Sequence, residues 1–415
     1  MIRILKSQDV GRLLARKAAR LTAAEAAVAP ILQAVRKRGD RALLEYARKF
    51  DGFTGRSVRV PEKDLLAARQ RLAPDFLGAV VTAAGNVRAF AERQAPQPWM
   101  RSLRTGLRLG QIVRPLDTVA AYIPAGRYPL PSTVIMTVVP AQVAGVPNIC
   151  VASPKPVAEV FGTASILGVA NVFRMGGAQA IAAFAFGTRT VPKADRIVGP
   201  GNIYVAAAKK LLAGEVGIDF VAGPTEIVIL AADGNPRLLA ADMLAQAEHD
   251  ADASAILFTT SKRLAAAVAG EVERQLADLS TAGVASQSIA RNSAIVLVRS
   301  LEEAVEMANR LAPEHLSIPD ETLLAKVKHA GSVFIGPFSP EAAGDYASGP
   351  NHVLPTSGAA RVRGGLSVSD FVKVISVQEL SEAALRRLGP AITRLARAEG
   401  LEAHARSVEM RVGTR

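Results

Sequence analysis

The stretch Asp117-Thr-Val-Ala-Ala-Tyr-Ile-Pro-Ala125 is a short apolar run that ends in a proline turn, and a helical pattern follows it. The same pair of signals then recurs. Strands are expected near 119–123, 149–152, 172–174 and 196–198, with helices near 132–144, 157–168, 178–186 and 203–212. A second array places strands near 227–231, 255–259, 294–298 and 332–335. Strands that alternate with helices form parallel sheets, because parallel neighbours are joined by crossover helices that cover both faces. The expected class is α/β, with two incomplete doubly wound parallel-sheet units.

Both flanks of these arrays read as helical. From residue 7 to about 95, Gly39-Asp40 closes one helix and starts the next, and Pro74-Asp75 opens a longer one with an apolar face of Phe76, Val80, Val81 and Val87. None of these helices carries recognisable chemistry. Past Gly365 the pattern is helical again, and Leu385, Leu388, Ile392 and Leu395 form an apolar stripe outside either sheet unit. Such a tail has to dock on something.

Composition narrows the classes. At 415 residues, with 49% hydrophobic and 21% charged, the chain is expected to form two or three domains with substantial cores. Its single cysteine, Cys150, lies in an apolar run, so a disulfide framework is excluded and a reducing, cytoplasmic setting is expected. The uncharged run 128–154 is interrupted by Pro129, Pro131, Pro140 and Pro147, which favours buried α/β elements over a membrane span. Met-Ile-Arg-Ile-Leu-Lys at the start lacks the apolar core of a secretory signal. The net charge of +13 is spread along the chain and aromatics make up 5%, so attraction of small anions, including a dinucleotide, is expected and nucleic acid is not.

Three glycine turns close strands of the first array: Pro124-Ala125-Gly126, Gly176-Gly177-Ala178-Gln179 and Gly199-Pro200-Gly201-Asn202. In an open α/β sheet such turns bring backbone N–H groups to the crevice where nucleotides bind, although the Gly-x-Gly-x-x-Gly fingerprint is absent. In Asp242 to Ser254, Gln246 and His249 fall three apart on one helical face. They fit either a hydrogen-bonded core network or a divalent metal, since an imidazole nitrogen and an amide oxygen can share an ion. Glu314-His315 and the polar, glycine-rich stretch Ala343 to His352 are further candidates, each readable as structure or as chemistry. His329 reads as structural or solvated. Glu399 and His404 stand five apart, so a common site needs a bend, which Gly400 supplies.

Taken together, Tyr122-Ile123-Pro124, Gly176-Gly177-Ala178-Gln179-Ala180, Val198-Gly199-Pro200-Gly201-Asn202, Ala222-Gly223-Pro224-Thr225-Glu226, Gln246-Ala247-Glu248-His249, Pro313-Glu314-His315-Leu316 and Gly344-Asp345-Tyr346-Ala347-Ser348-Gly349 resemble the histidinol dehydrogenase family. The resemblance covers the chain in order. It departs at Ala125, where the family usually has glycine, and at Thr225, where it commonly has serine.

The resemblance implies two Rossmann-like units and oxidation of L-histidinol through L-histidinal to L-histidine by two hydride transfers to NAD. It implies one zinc ion per subunit on Gln246, His249, Asp345 and His404, and NAD contacts from Tyr122, Gln179 and Asn202. Substrate would meet Thr225, Gln246, His249, His315, Asp345, Glu399 and His404, with Glu314 and His315 as catalytic acid and base groups. The division it suggests is an N-terminal extension (1–20), a larger α/β domain (21–118 with 226–364), an NAD-binding domain (119–225) and a tail (365–415) exchanged across a homodimer. Related zinc- and NAD-dependent enzymes oxidise other small polar alcohols, such as sulfonated diols. A zinc hydrolase and a basic nucleic-acid-binding protein are the readings outside this class.

Overall fold

In the computed structural model, residues 2–9, 19–125, 128–155 and 157–413 are described. Gly126, the last residue of the first glycine turn, and most of the junction after the N-terminal strand lie outside them. The strands in chain order are β1 (Arg3–Lys6), β2 (Trp99–Arg104), β3 (Leu107–Pro115), β4 (Thr118–Tyr122), β5 (Asn148–Ser153), β6 (Asn171–Arg174), β7 (Arg196–Val198), β8 (Gly217–Ile218), β9 (Glu226–Ala231), β10 (Ser254–Thr259), β11 (Ala294–Leu297), β12 (His315–Ile318), β13 (Ser332–Ile335) and β14 (Val372–Leu380). The chain forms two compact units, 1–94 with 116–371 and 95–115 with 372–415.

The first unit holds two parallel sheets, ordered β6-β5-β4-β7-β8 and β1-β11-β10-β9-β12-β13. Each begins at a central strand, β4 or β9, builds outward for two strands, then returns to the other side, which is doubly wound order with a switch point. Alternate side chains separate the cores. Val119, Ala121 and Ile123 pack with Val134, Val138 and Phe161, while Ala120 and Tyr122 pack with Val28, Leu43 and Phe184. In the larger sheet Ile227 and Ile229 face one core and Val228 and Leu230 the other. Both sheets are covered on two faces, as the near-continuous apolar strands require.

The seven expected helices and strands of the first array up to 198 occur within two residues of their anticipated ends, as does the helix Ile203–Leu212. Three features were not legible. Arg3–Lys6 adds an edge strand beside β11, Gly217–Ile218 adds one beside β7, and His315–Ile318 forms β12. On the helix Pro74–Gln94 Val80 and Val87 are buried, but Val81 is 56% exposed and lies off the apolar face. The residues from Ala24 to Val87 that enter a core pack on the five-stranded sheet.

The second unit is an antiparallel sheet, β14-β3-β2, followed by helices Glu382–Ala398 and Glu402–Val412. The expected helical tail is present from Glu382 on, and the earlier part of 365–415 differs: Val372–Leu380 is a strand, nine residues paired along the whole of β3. Its β-branched residues Val372, Val374, Ile375 and Val377 favour a strand, and the helical stripe that follows is the stronger periodic signal. Leu385, Leu388 and Ile392 of that stripe are half-buried and Leu395 is 64% exposed.

Candidate functional site

The strongest cluster of ionisable groups forms at the amino ends of β9 and β12. The helix Pro236–Ala247 follows β9 and runs back along the sheet, so its last turn returns to the edge where β9 began. This brings Gln246 to Thr225, the residue before β9, and to His315, the first residue of β12. Open α/β sheets usually bind ligands at the carboxyl ends of their strands. In this sheet the chemistry-bearing residues gather at the opposite edge.

Glu314 and His315 are adjacent in sequence yet enter one cluster, and both are buried. Ala312, in the left-handed conformation at φ 50°, ends the preceding helix, and Glu314 stands just before the first ladder residue of β12. That irregular entry supplies the departure from strand alternation that joint action needs. Glu314 Oε2 accepts from Thr225 Oγ1 at 2.5 Å and from the Glu226 amide at 3.0 Å. His315 Nδ1 lies 3.3 Å from the Glu226 carbonyl oxygen and 3.8 Å from Glu314 Oε2, while Nε2 is buried without a hydrogen-bond partner, 3.6 Å from Asp345 Oδ1.

Three more carboxylates surround this pair. Glu341 and Asp345 lie four apart on the helix Glu341–Tyr346, and Glu341 Oε1 is 3.7 Å from His315 Nδ1. Asp242, four residues before Gln246, adds a charge that raises Glu341. The donor atoms of His249, Glu341 and Asp345 all lie within 4.8 Å of one another, a spacing that suits a single divalent ion. Gln246 is wholly buried, and its amide has two settings. Turned with oxygen toward Thr225, it donates to Glu341 at 2.7 and 3.0 Å and to His315 Nδ1 at 3.2 Å, and its oxygen, 2.7 Å from Oγ1, competes with Glu314 for the one Thr225 hydroxyl proton. Turned over, Nε2 donates to Thr225 Oγ1 at 2.7 Å and the amide oxygen faces Glu341. Two oxygens that close favour an intervening proton or cation, so the donor set fits zinc in this second setting.

Burial governs the charges. It pushes Glu314 up to about 7, against the lowering effects of His315, Thr225 and the Glu226 amide. It also raises Asp242 to about 6 and, with the neighbouring carboxylates, lifts Glu341. For His315 burial alone would lower the pKa, but Glu341, Glu314 and Asp345 outweigh it and hold the imidazole at about 10. Asp345 is desolvated too, yet His315, His352 and His249 keep it below the ordinary aspartate value.

The structure therefore brings together Thr225, Gln246, His249, Glu314, His315 and Asp345. His249 differs in one respect from the sequence reading: it lies two residues beyond the helix end and is exposed, 3.8 Å from Asp345 Oδ2. Its amide still donates to the Gln246 carbonyl at 3.4 Å, so a tighter last turn preserves the proximity. Glu399 and His404 belong to the second unit and are exposed there. Glu399 caps one helix, Gly400 turns the chain at φ 76°, and His404 sits in the first turn of the next, which is the expected bend.

Sequence reasoning missed Glu341, Asp242 and the placement of His352. The signal for Glu341 was its spacing of four from Asp345 after Ser339-Pro340, a helix start. His352 Nδ1 lies 2.7 Å from the Asp345 carbonyl oxygen and Nε2 3.2 Å from Thr133 Oγ1, and burial lowers its pKa. His329 is half-buried, and its amide donates to Asn309, in keeping with a structural role.

Of the three expected nucleotide contacts, Tyr122 ends β4, Asn202 follows β7 and Gln179 lies in the first turn of the helix after β6, all beyond carboxyl ends of strands of the five-stranded sheet. Tyr122 ends β4, and its hydroxyl accepts from the Gly177 amide at 3.1 Å. Gly199 follows β7 with φ 106°, and a Cβ there would lie 2.2 Å from the Tyr122 carbonyl oxygen, so only glycine fits. Asn202 caps the helix Ile203–Leu212 by accepting from the amides of Tyr204 and Val205. Asp51, from one of the helices read as devoid of chemistry, accepts from the Gly176 amide at 3.0 Å and from Gln179 Nε2 at 3.1 Å. The helix Asp40–Asp51 thus supplies the carboxylate that holds the Gly176 amide and the Gln179 side chain.

Known proteins resemble this chain in sequence and overall fold. A sequence model of the histidinol dehydrogenase family matches residues 14–412. The histidinol dehydrogenase of Halalkalibacterium halodurans is 49% identical over 395 residues, covering 93% of each chain. That of Geobacter metallireducens is 48% identical over 399 residues, covering 94% of this chain and 92% of its own. The crystal structure of histidinol dehydrogenase from Elizabethkingia anophelis superposes with a TM-score of 0.93 at 36% identity, covering 99% of this chain and 98% of that one. A full-length match at these identities, on a chain whose buried carboxylate and imidazole groups converge as described, leads to one conclusion: the chain belongs to the histidinol dehydrogenase family.

Proposed function

We propose that this chain is a zinc-dependent enzyme that oxidises L-histidinol through L-histidinal to L-histidine, passing two hydrides in succession to NAD. The observation that carries the reading is the buried Glu314–His315 pair beside the Gln246, His249 and Asp345 donors, in a member of the histidinol dehydrogenase family. When bound, zinc would grip the imidazole and amine of the substrate and offset the carboxylate charge around His315.

The protein's own groups divide the proton work. With bound zinc offsetting the carboxylates that hold the imidazole protonated, His315, its Nδ1–H directed at the Glu226 carbonyl, would present Nε2 as the base for the alcohol proton, and NAD would supply the hydride acceptor. The aldehyde then needs water. Glu314 has one oxygen held by two donors, and the other can take a proton from the attacking water. The hydrate anion left by that proton transfer would give up the one hydrogen on its carbon as hydride, with His315 again accepting the hydroxyl proton, which leaves the carboxylate. A group titrating near 7, as burial makes Glu314, suits that task.

NAD would lie across the switch point against Tyr122, Gln179 and Asn202. Asn202 has its oxygen committed to the helix start, so its amide nitrogen is the group that can donate to a ligand. Residues 119–225 would serve as the nucleotide half, and 226–364 would carry the metal and the chemistry. The enzyme would work in the cytoplasm as a homodimer, the tail of each copy supplying Glu399 and His404 to the other's site. The exposed Leu395 and half-buried Leu385, Leu388 and Ile392 support that exchange. Among the described residues no helix is long and apolar enough to cross a membrane.

NADH formation with L-histidinol, set against a panel of small polar alcohols that includes sulfonated diols, tests the reading. Two NADH per histidinol consumed, and no comparable rate with the panel, is the expected result. Preference for another alcohol would keep the oxidoreductase and displace the substrate.

A further inference from the structure

A buried lysine and aspartate outside the groups discussed above hold the turn at the nucleotide crevice. Lys209 and Asp219 form an ion pair through Nζ and Oδ1, with side chains 2% and 0% exposed. Both also bind the same residue. Asp219 Oδ2 accepts from the Gly199 amide at 2.8 Å, and Lys209 Nζ donates to the Gly199 carbonyl at 3.0 Å. The remaining capacity of Oδ1 goes to the Phe220 amide at 2.6 Å, and Nζ lies 5.7 Å from the centre of the Phe220 ring.

Local structure explains how the two reach one glycine. Asp219 follows the edge strand β8, whose neighbour β7 runs directly into Gly199. Lys209 lies on the helix Ile203–Leu212, and side chains on a helix lean toward its amino end, so the long alkyl chain runs back to the turn where that helix begins. Two charges without solvent are costly, and an apolar pair of similar size often serves stability as well or better. A role in fixing geometry accounts for their retention at this place. Gly199 carries a φ of 106° and abuts the Tyr122 backbone, and Asn202 stands three residues on.

We propose that Lys209 and Asp219 are positioning residues for the cofactor: by holding both polar groups of Gly199, the pair sets the turn that presents Asn202 beside Tyr122 to NAD. The proposal rests on the assignment of this crevice to NAD. Neither side chain touches the cofactor, so neither is a catalytic residue.

The test compares NADH and histidinol binding in the zinc-loaded full chain. Lys209→Met/Asp219→Asn removes both charges together, so neither is left buried alone. We expect NADH affinity to fall tenfold or more and the KM for NAD to rise alike, with histidinol affinity within twofold of wild type. Unchanged NADH binding, or equal loss for both ligands, overturns the proposal. Asn202→Ala separates the two levels of inference. If it binds NADH as wild type does, the assignment of the turn to NAD has failed and the clamp falls with it. If it weakens NADH binding while the double variant does not, the assignment stands and the clamp alone is wrong. Should the double variant not fold, amide hydrogen exchange in wild type without cofactor decides. Protection of the Gly199 amide matching that of β7 supports the clamp, and exchange at the rate of an open loop overturns it.

Discussion

Thr225 Oγ1 donates to Glu314 Oε2 at 2.5 Å, so the hydroxyl just before β9 fixes the carboxylate just before β12. This bond stabilises the charged form of Glu314 and opposes the burial that raises its pKa. Thr225→Val is expected to push Glu314 further up and move the pH dependence of histidinal oxidation to higher pH. Thr225→Ser keeps the hydroxyl and should leave the profile in place. Rate profiles with histidinal as substrate distinguish the two.

Glu314→Gln should slow oxidation of histidinal by about 10²- to 10⁴-fold, the usual scale for loss of a general base, and slow oxidation of histidinol to histidinal much less. His315→Asn should damage both. Single-turnover measurements started from the alcohol and from the aldehyde read the two half-reactions apart. Equal loss in both for Glu314→Gln would refute the division of labour.

The raised pKa of Glu314 also fixes a direction. Its base form accumulates as pH rises through about 7, so histidinal oxidation should gain about tenfold per pH unit below that value and level off above it. Stability of the metal-free protein should run the other way. Glu314 and Asp242 have folded values of about 7 and 6, above their ordinary 4.5 and 3.8. Their contribution is therefore present at low pH and lost as pH rises through the folded values. Thermal unfolding of the zinc-free chain across this range, compared with Glu314→Gln, checks the sign.

His249→Ala should lose zinc and activity together. His249, Glu341 and Asp345 offer donors to one point, and removal of one donor from such a set leaves the others too few to compete with a chelator. Metal analysis after dialysis provides the measurement. Full occupancy with full activity would sink the assignment.

The exchanged tail predicts complementation. His315→Asn disables the core of one site and His404→Asn the tail of another, and a hybrid dimer holds one intact site. With random pairing, mixed subunits should recover about a quarter of wild-type activity. No recovery in a mixture shown to contain hybrids would mean that each site is built within one chain.

Periodicity in the sequence determined the two parallel sheets, since a strand buried on both faces writes itself as a continuous apolar run and a crossover helix as a long patterned one. Local chemistry determined the bend at Gly400, and motif resemblance singled out Gln246, His249, Glu314, His315 and Asp345. Tertiary structure alone decided what those residues meet. The short edge strands β1 and β8 carry too few residues to show a period, and β14 was hidden behind a stronger helical signal. Asp51 meets Gln179 across 128 positions, and Thr225 meets Glu314 across 89. Glu341 had a legible spacing but no legible partner. Whether a carboxylate is an exposed helix-face charge or a buried group held near neutrality depends on desolvation and on neighbours from distant strands, and those exist only once the chain has folded.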